Sequence, residues 1–101
     1  MAFTVAALRE TAAGERRVAI TPETARKWQA AGALVLLETA AGLAAGFPDE
    51  AYPDVIFTDA QAVVARADIL LCVQPPSPVS LEALRSGSVL LNRIPFSMAW
   101  L

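Results

Sequence analysis

A chain of 101 residues with 10 acidic and 8 basic side chains, no histidine and one cysteine has the size of one domain, able to bury roughly two-thirds of its unfolded surface. The net charge of −2 and a pI near 4.9 disfavour nucleic acid and anionic membranes as partners. The lack of histidine removes the commonest metal ligand and general base, so no metal is expected, and the lone Cys72 excludes a disulfide framework and points to a reduced, cytoplasmic setting.

Although 55% of the residues are hydrophobic, no window approaches the roughly 18 uninterrupted apolar residues of a spanning helix. The N-terminus also lacks a basic region followed by a long apolar run. A soluble chain with no direct membrane insertion is expected.

Residues 3–8 (FTVAAL) form a short apolar run rich in strand formers, followed by Arg9-Glu10-Thr11 and a polar loop through Gly14. Glu15-Arg16-Arg17-Val18-Ala19-Ile20-Thr21-Pro22 then sets a charged cluster directly before a helix start. Thr21 is a good N-cap, and Pro22 suits the first turn, where a missing N–H costs nothing. The helix is predicted over 22–31, with Ala25, Trp28 and Gln29 on successive turns and Gly32 as its left-handed stop. Arg16 and Arg17 therefore lie on a loop facing strand ends. They can catch an anionic group there, or they are solvated surface arginines paired with Glu15; both readings stay open.

Residues 33–38 (ALVLLE) are a continuous apolar run, which suits a strand covered on both faces. Residues 39–46 (TAAGLAAG) should turn sharply, 48–52 form one helical turn stopped by Pro53, and 55–57 form a short strand. Asp59 caps a helix over 60–67 with Ala62, Val63 and Ala67 facing inward. Residues 69–73 (ILLCV) are the most apolar run and are predicted as the central strand, ending at Gln74-Pro75-Pro76. Ser80 then caps a short helix through 85, Gly87 closes it, and 89–91 begin a fifth strand.

Strands alternating with helices imply right-handed crossovers and an α/β fold, a parallel sheet with helices on both faces. The ending at 92–101 leaves a strand without a covering helix and reads as truncated, so the sheet is expected to be incomplete at its C-terminal end. Phe96, Met98 and Trp100 form an exposed apolar end there.

Chemical motifs are scarce: there is no GxGxxG, Walker loop, CxxC, nucleophile elbow or HExxH. The Gly42–Gly46 spacing reads as steric, Cys72 as an inert core thiol, and Trp28 and Phe47 as packing residues. Gln74 stands apart, because it is polar, uncharged and placed where a parallel strand delivers side chains into the carboxyl-end crevice.

The run from Glu15 to Pro22, followed by Val35-Leu36-Leu37-Glu38, Ala41-Gly42, Ala45-Gly46-Phe47-Pro48-Asp49-Glu50-Ala51-Tyr52 and Ala67-Asp68-Ile69-Leu70-Leu71-Cys72-Val73-Gln74-Pro75-Pro76, closely resembles the N-terminal domain shared by alanine dehydrogenases and the alpha subunit of NAD(P) transhydrogenases. The resemblance covers residues 3 to about 91 and treats 1–101 as a single, partial domain. It implies a flavodoxin-like three-layer sheet with strand order 2-1-3-4-5, facing a separate Rossmann domain that holds NAD across a cleft.

In alanine dehydrogenases the arginine of this motif grips the substrate carboxylate, a lysine in the strand-four motif polarises the carbonyl or imine, and a histidine beyond strand five does acid/base work. Arg17 matches the first, Gln74 stands at the lysine position, and this chain has no histidine. Lacking that assistance, amino-acid chemistry loses several kcal/mol on the usual scale. Gln74 resembles the uncharged amide of transhydrogenase alpha subunits, in which hydride passes directly between two nicotinamides.

Tyr52-Pro53-Asp54-Val55 is shorter than the family's turn before strand three, and Arg93 falls where the family keeps an apolar strand residue. The chain stops before the Arg/Gln/Asp/Ser set that contacts NAD in the family and before the glycine-rich domain.

The resemblance thus implies the N-terminal part of a proton-translocating transhydrogenase alpha subunit, an excised piece or one whose remainder lies on another chain. NAD(H) is bound mainly by that remainder and NADP(H) by a beta subunit. This chain contributes no catalytic and no cofactor-binding residue, only Arg17 and Gln74 as cleft-facing candidates, and it is inactive alone. A homodimer on the cytoplasmic face is expected. The alternatives are an alanine-dehydrogenase-like domain and a non-catalytic assembly module.

Overall fold

Five parallel strands, β1 (Phe3–Ala7), β2 (Ala33–Glu38), β3 (Ile56–Thr58), β4 (Ile69–Cys72) and β5 (Val89–Asn92), line up in the order β3-β2-β1-β4-β5 in the computed structural model. The structure describes residues 3–11, 13–73 and 89–92. Gln74, the helix predicted over 80–85 and the apolar end at Phe96, Met98 and Trp100 lie outside them.

The unbroken apolar runs are explained by burial on both sides. Val5, Ala6 and Ala7 of β1 and Val35, Leu36 and Leu37 of β2 are fully buried, as parallel strands between two helical layers must be. Helix α1 (Pro22–Ala30) covers one face, where Ala25, Val18 and Ile20 meet Val5, Val35, Leu37 and Leu71. Helix α2 (Ala60–Arg66) covers the other, where Val63, Val64 and Ala67 meet Ala6, Leu36 and Leu70. The expected three-layer α/β arrangement is therefore present.

Local chemistry sets the helix bounds. Thr21 Oγ1 accepts the Thr24 N–H at 3.2 Å while Thr24 Oγ1 accepts the Thr21 N–H at 2.8 Å, a reciprocal box that satisfies two donors at the helix start. Gly32 takes φ +96° just past the end, the left-handed conformation anticipated for it. Asp59 caps α2 through the Ala62 N–H at 2.8 Å, and Ala67 serves as C-cap. Val63 and Ala67 face inward as expected. Val64 is buried with them while Ala62 is only half-buried, because the helix turns its bulkier valine pair to the sheet.

The strand order differs from the expected 2-1-3-4-5. β3 pairs with β2 through Leu36↔Ile56 and Leu37↔Phe57, and β4 takes the place beside β1 through Val5↔Ile69 and Ala6↔Leu70. Residues 69–73 accordingly lie beside the centre and not at it, and β1 is the central strand. Apolar content explains the exchange. An inner strand must bury both faces, which Leu70 and Leu71 do, whereas β3 has three residues and leaves Ile56 40% exposed, the profile of an edge. Asp68 pins the start of the β1–β4 pair: its carboxylate accepts the Thr4 N–H at 2.7 Å and its own N–H donates to the Thr4 carbonyl at 2.9 Å.

Candidate functional site

The chain runs β1-β2-β3 toward one edge and then crosses back to place β4 on the other side of β1. In open parallel sheets the crevice outside the carboxyl ends near such a reversal is where ligands sit. At that end a cavity of about 340 Å³ opens between two walls of different character. Arg9, Glu10, Glu15 and Arg17, from the segment after β1, line one side; Ala40, Ala41, Leu43 and Ala44, from the turn after β2, line the other.

The charged wall is tied down by carboxylates. Glu15 receives Arg17 Nε on Oε2 and Arg17 Nη2 on Oε1, both at 2.9 Å, and Oε2 also accepts the Arg17 backbone N–H at 2.9 Å. The Glu15 side chain is 7% exposed and that of Arg17 70%, so the acid is the fixed partner and the guanidinium reaches outward. The hydrogen bond and charge of Glu15 hold the Arg17 guanidinium above its ordinary basicity, with a smaller contribution from Glu10.

Glu10 accepts the Val73 N–H at 3.0 Å, bridging the carboxyl ends of β1 and β4. Glu38, at the end of β2, accepts the Arg9 N–H at 2.8 Å.

The apolar wall is held by packing and shape. Ala40 adopts φ +65°, an unfavourable region for a residue with a Cβ, and its N–H is caught by Asp49 Oδ1 at 3.0 Å. Gly42 has an ordinary φ of −92°, but an added Cβ would overlap the Tyr52 hydroxyl and come within 2.9 Å of the Phe47 carbonyl oxygen. The expected steric role is thus visible at Gly42, whereas a Cβ at Gly46 would meet nothing within 4 Å and the glycine there is required by its left-handed φ of +91°. Tyr52 donates its hydroxyl to the Ile20 carbonyl at 2.7 Å and stands between the rings of Phe47 and Phe57. Burial, helped by Asp49, pushes its phenol up to about 12.

Of the two candidates named from sequence, Arg17 lines the cavity and is paired with Glu15. Gln74 lies one residue beyond the described part of β4's exit. Cys72 is buried, and burial followed by the Glu10 charge raises its thiol to about 11, the setting of an unreactive core cysteine. Trp28 packs edge-on to Phe3 with ring centres 6.4 Å apart.

Sequence reading places Arg9 and Glu10 in an ordinary polar loop and misses them as cavity-lining residues. Their position immediately after a parallel strand was the signal that could have found them.

Neither described helix start is open to a phosphate. Pro22 has no N–H and Thr21 takes that of Thr24, while α2 begins on the Asp59 carboxylate. Among the described residues, no group of three or more histidine, cysteine, aspartate or glutamate side chains could hold a metal ion. No described helix is long and apolar enough to cross a membrane.

The family model described as "Alanine dehydrogenase/PNT, N-terminal domain" matches residues 6–97. NAD(P) transhydrogenase subunit alpha of Cereibacter sphaeroides is 40% identical over 91 residues, which are 87% of this chain and 17% of the relative. Alanine dehydrogenase 1 of Staphylococcus aureus (strain bovine RF122 / ET3-1) is 35% identical over 89 residues, 85% of this chain and 23% of the relative. The crystal structure of transhydrogenase from Sinorhizobium meliloti superposes with a TM-score of 0.79 at 30% identity, covering 86% of this chain and 27% of that one. This chain spans about a fifth of the length of the curated relatives it matches.

Proposed function

This chain belongs to the alanine dehydrogenase/PNT N-terminal domain family, and from that premise we propose that it is the N-terminal part of a proton-translocating NAD(P) transhydrogenase alpha subunit, whose complete form passes hydride between NAD(H) and NADP(H). The observation that carries the reading is the 40% identity with a transhydrogenase alpha subunit over 87% of the chain, against 35% over 85% with an alanine dehydrogenase. Gln74 supports it: an amide where the amino-acid enzymes carry lysine removes the cation that would stabilise charge on a substrate carbonyl.

In this reading NAD(H) is held by the Rossmann portion of the alpha subunit and NADP(H) by a beta subunit, on the cytoplasmic face, in an assembly containing two copies of this domain. The chain supplies one wall of the cleft, to which Arg17 and Gln74 contribute. The closed helix starts at Thr21 and Asp59 support placing the pyrophosphate on another portion, since a dinucleotide needs backbone N–H groups free at a helix N-terminus. The isolated chain is then catalytically silent. Its affinity for NADH is in the millimolar range or weaker, roughly 4 kcal/mol or less of binding free energy, because a few solvated contacts do not offset the entropy of association.

Substituting residues 6–97 for the matching segment of the Cereibacter sphaeroides alpha subunit tests the reading. The graft, assayed with its beta subunit, is expected to retain hydride transfer from NADH to an NADP analogue and to show no alanine-dependent reduction of NAD. Alanine oxidation would select the dehydrogenase branch, and assembly with no hydride transfer would select the assembly module. Micromolar NADH binding to the isolated chain by calorimetric titration would overturn the placement of the cofactor.

A further inference from the structure

We infer that Glu15 is a positioning residue for Arg17: it grips the inner edge of the guanidinium so that the outer edge is presented to the cleft. The inference rests on the reading that Arg17 acts there. The first support is the asymmetry of the pair, with the Glu15 side chain 7% exposed and the Arg17 side chain 70% exposed. Two exposed surface chains gain little from meeting, but here one partner is buried. A buried carboxylate needs partners, and besides the guanidinium Glu15 accepts the Arg17 backbone N–H, so its place does not depend on the cation alone.

The second support is the geometry of the bonds. Arginine has five N–H donors in a planar fork. Glu15 takes Nε–H and one hydrogen of Nη2, each at 2.9 Å, which leaves the Nη1 pair and the second Nη2 hydrogen on the far edge.

The third support is that the backbone under the pair cannot swing. The Arg17 N–H is bonded to the same carboxylate, Val18 and Ile20 are buried just after it, and Tyr52 holds the Ile20 carbonyl. A long side chain that would otherwise sample many rotamers is thereby fixed in one direction at the cavity wall, and fixing a group in advance removes the ordering cost from the step it serves.

The transhydrogenase graft also tests this, with Arg17→Ala, Glu15→Gln, Glu15→Ala and the double variant Glu15→Gln/Arg17→Ala. Arg17→Ala is expected to lower hydride transfer about tenfold, the scale of one charge-assisted contact. Each Glu15 variant should lower it about fivefold, and the double variant should be no slower than Arg17→Ala alone, since groups acting in series are not additive. Heteronuclear NMR should show Arg17 Nε–H protected from solvent exchange in the unaltered chain and fast in Glu15→Gln, a readout that a merely structural glutamate would not move.

An unchanged rate in Arg17→Ala would remove the role of Arg17 and this inference with it. A lowered rate in Arg17→Ala with full activity in both Glu15 variants would overturn the positioning role alone. An equal loss from Glu15→Gln with and without Arg17 would make Glu15 a fold residue and overturn it as well.

Discussion

The two walls of the cleft are built on opposite principles. On the side that follows β1, carboxylates hold the segment, Glu15 through the Arg17 guanidinium and Glu38 through the Arg9 backbone N–H, and both arginines are exposed. On the side that follows β2, a turn of small residues is wedged by Tyr52, Asp49 and the missing side chain of Gly42. The first wall presents chemistry at little structural cost. The second holds the cleft open, and its polar atoms are spent on the fold. Damage to the two should therefore separate into loss of activity and loss of stability.

The largest expected effect is on the packed wall. Gly42→Ala forces a Cβ against the Tyr52 hydroxyl and the Phe47 carbonyl, and overpacking of this kind costs about 2–3 kcal/mol, a fall in melting temperature of about 10 °C or more for a domain of this size. Adding Tyr52→Phe to that variant should recover part of the loss by deleting the clashing oxygen; a strictly additive double variant would break the steric account.

Tyr52→Phe alone comes next. It leaves the Ile20 carbonyl without its hydroxyl donor, worth about 1–2 kcal/mol by denaturant unfolding. It should also change the alkaline limb. With the phenol at about 12 in the fold against an ordinary 10, the unfolded chain releases this proton first. The contribution is full below pH 10 and is lost as pH rises through 12. In the variant that fall should shrink, leaving the one that begins near pH 9 from Cys72, whose thiol is held at about 11.

The smallest expected effect on stability lies on the charged wall. Arg17→Ala should leave the melting temperature unmoved, because the cation is exposed and the backbone N–H bond to Glu15 survives the substitution. A large drop in the melting temperature of this variant would erase the contrast between the walls.

What could be read from the residues follows the range of the interactions. The start of α1 at Pro22, the whole of β2 and the cap at Asp59 were legible because caps and apolar runs act within a few positions. The pairing of Arg17 with Glu15 was legible for the same reason, spanning two residues. The place of β3 outside β2 was not, because strand order is decided by which runs compete for the sheet centre; the order implied by resemblance put β3 beside β1, where Ile56 could not have stayed exposed. The links that finish the cleft, Glu10 to Val73 across 63 positions and Glu38 to Arg9 across 29, leave no local trace. The sheet had to be in hand before either carboxylate could be assigned a partner.

The neighbour relations of β1 also set a timetable for the nascent chain. One side of β1 is completed by β2, but the other waits for β4, and the bond that fastens them joins Thr4 to Asp68 across 64 positions. Closing so long a loop costs entropy before any contact rewards it. During synthesis β1 is therefore made before β4 and is enclosed on both sides only once β4 has followed. Val5, Ala6 and Ala7 keep an unpaired edge until residues 69–72 have emerged, and such an apolar edge invites pairing with other chains. Stalled or shortened translation products that end before β4 should for this reason associate through β1 more readily than those that extend beyond β5.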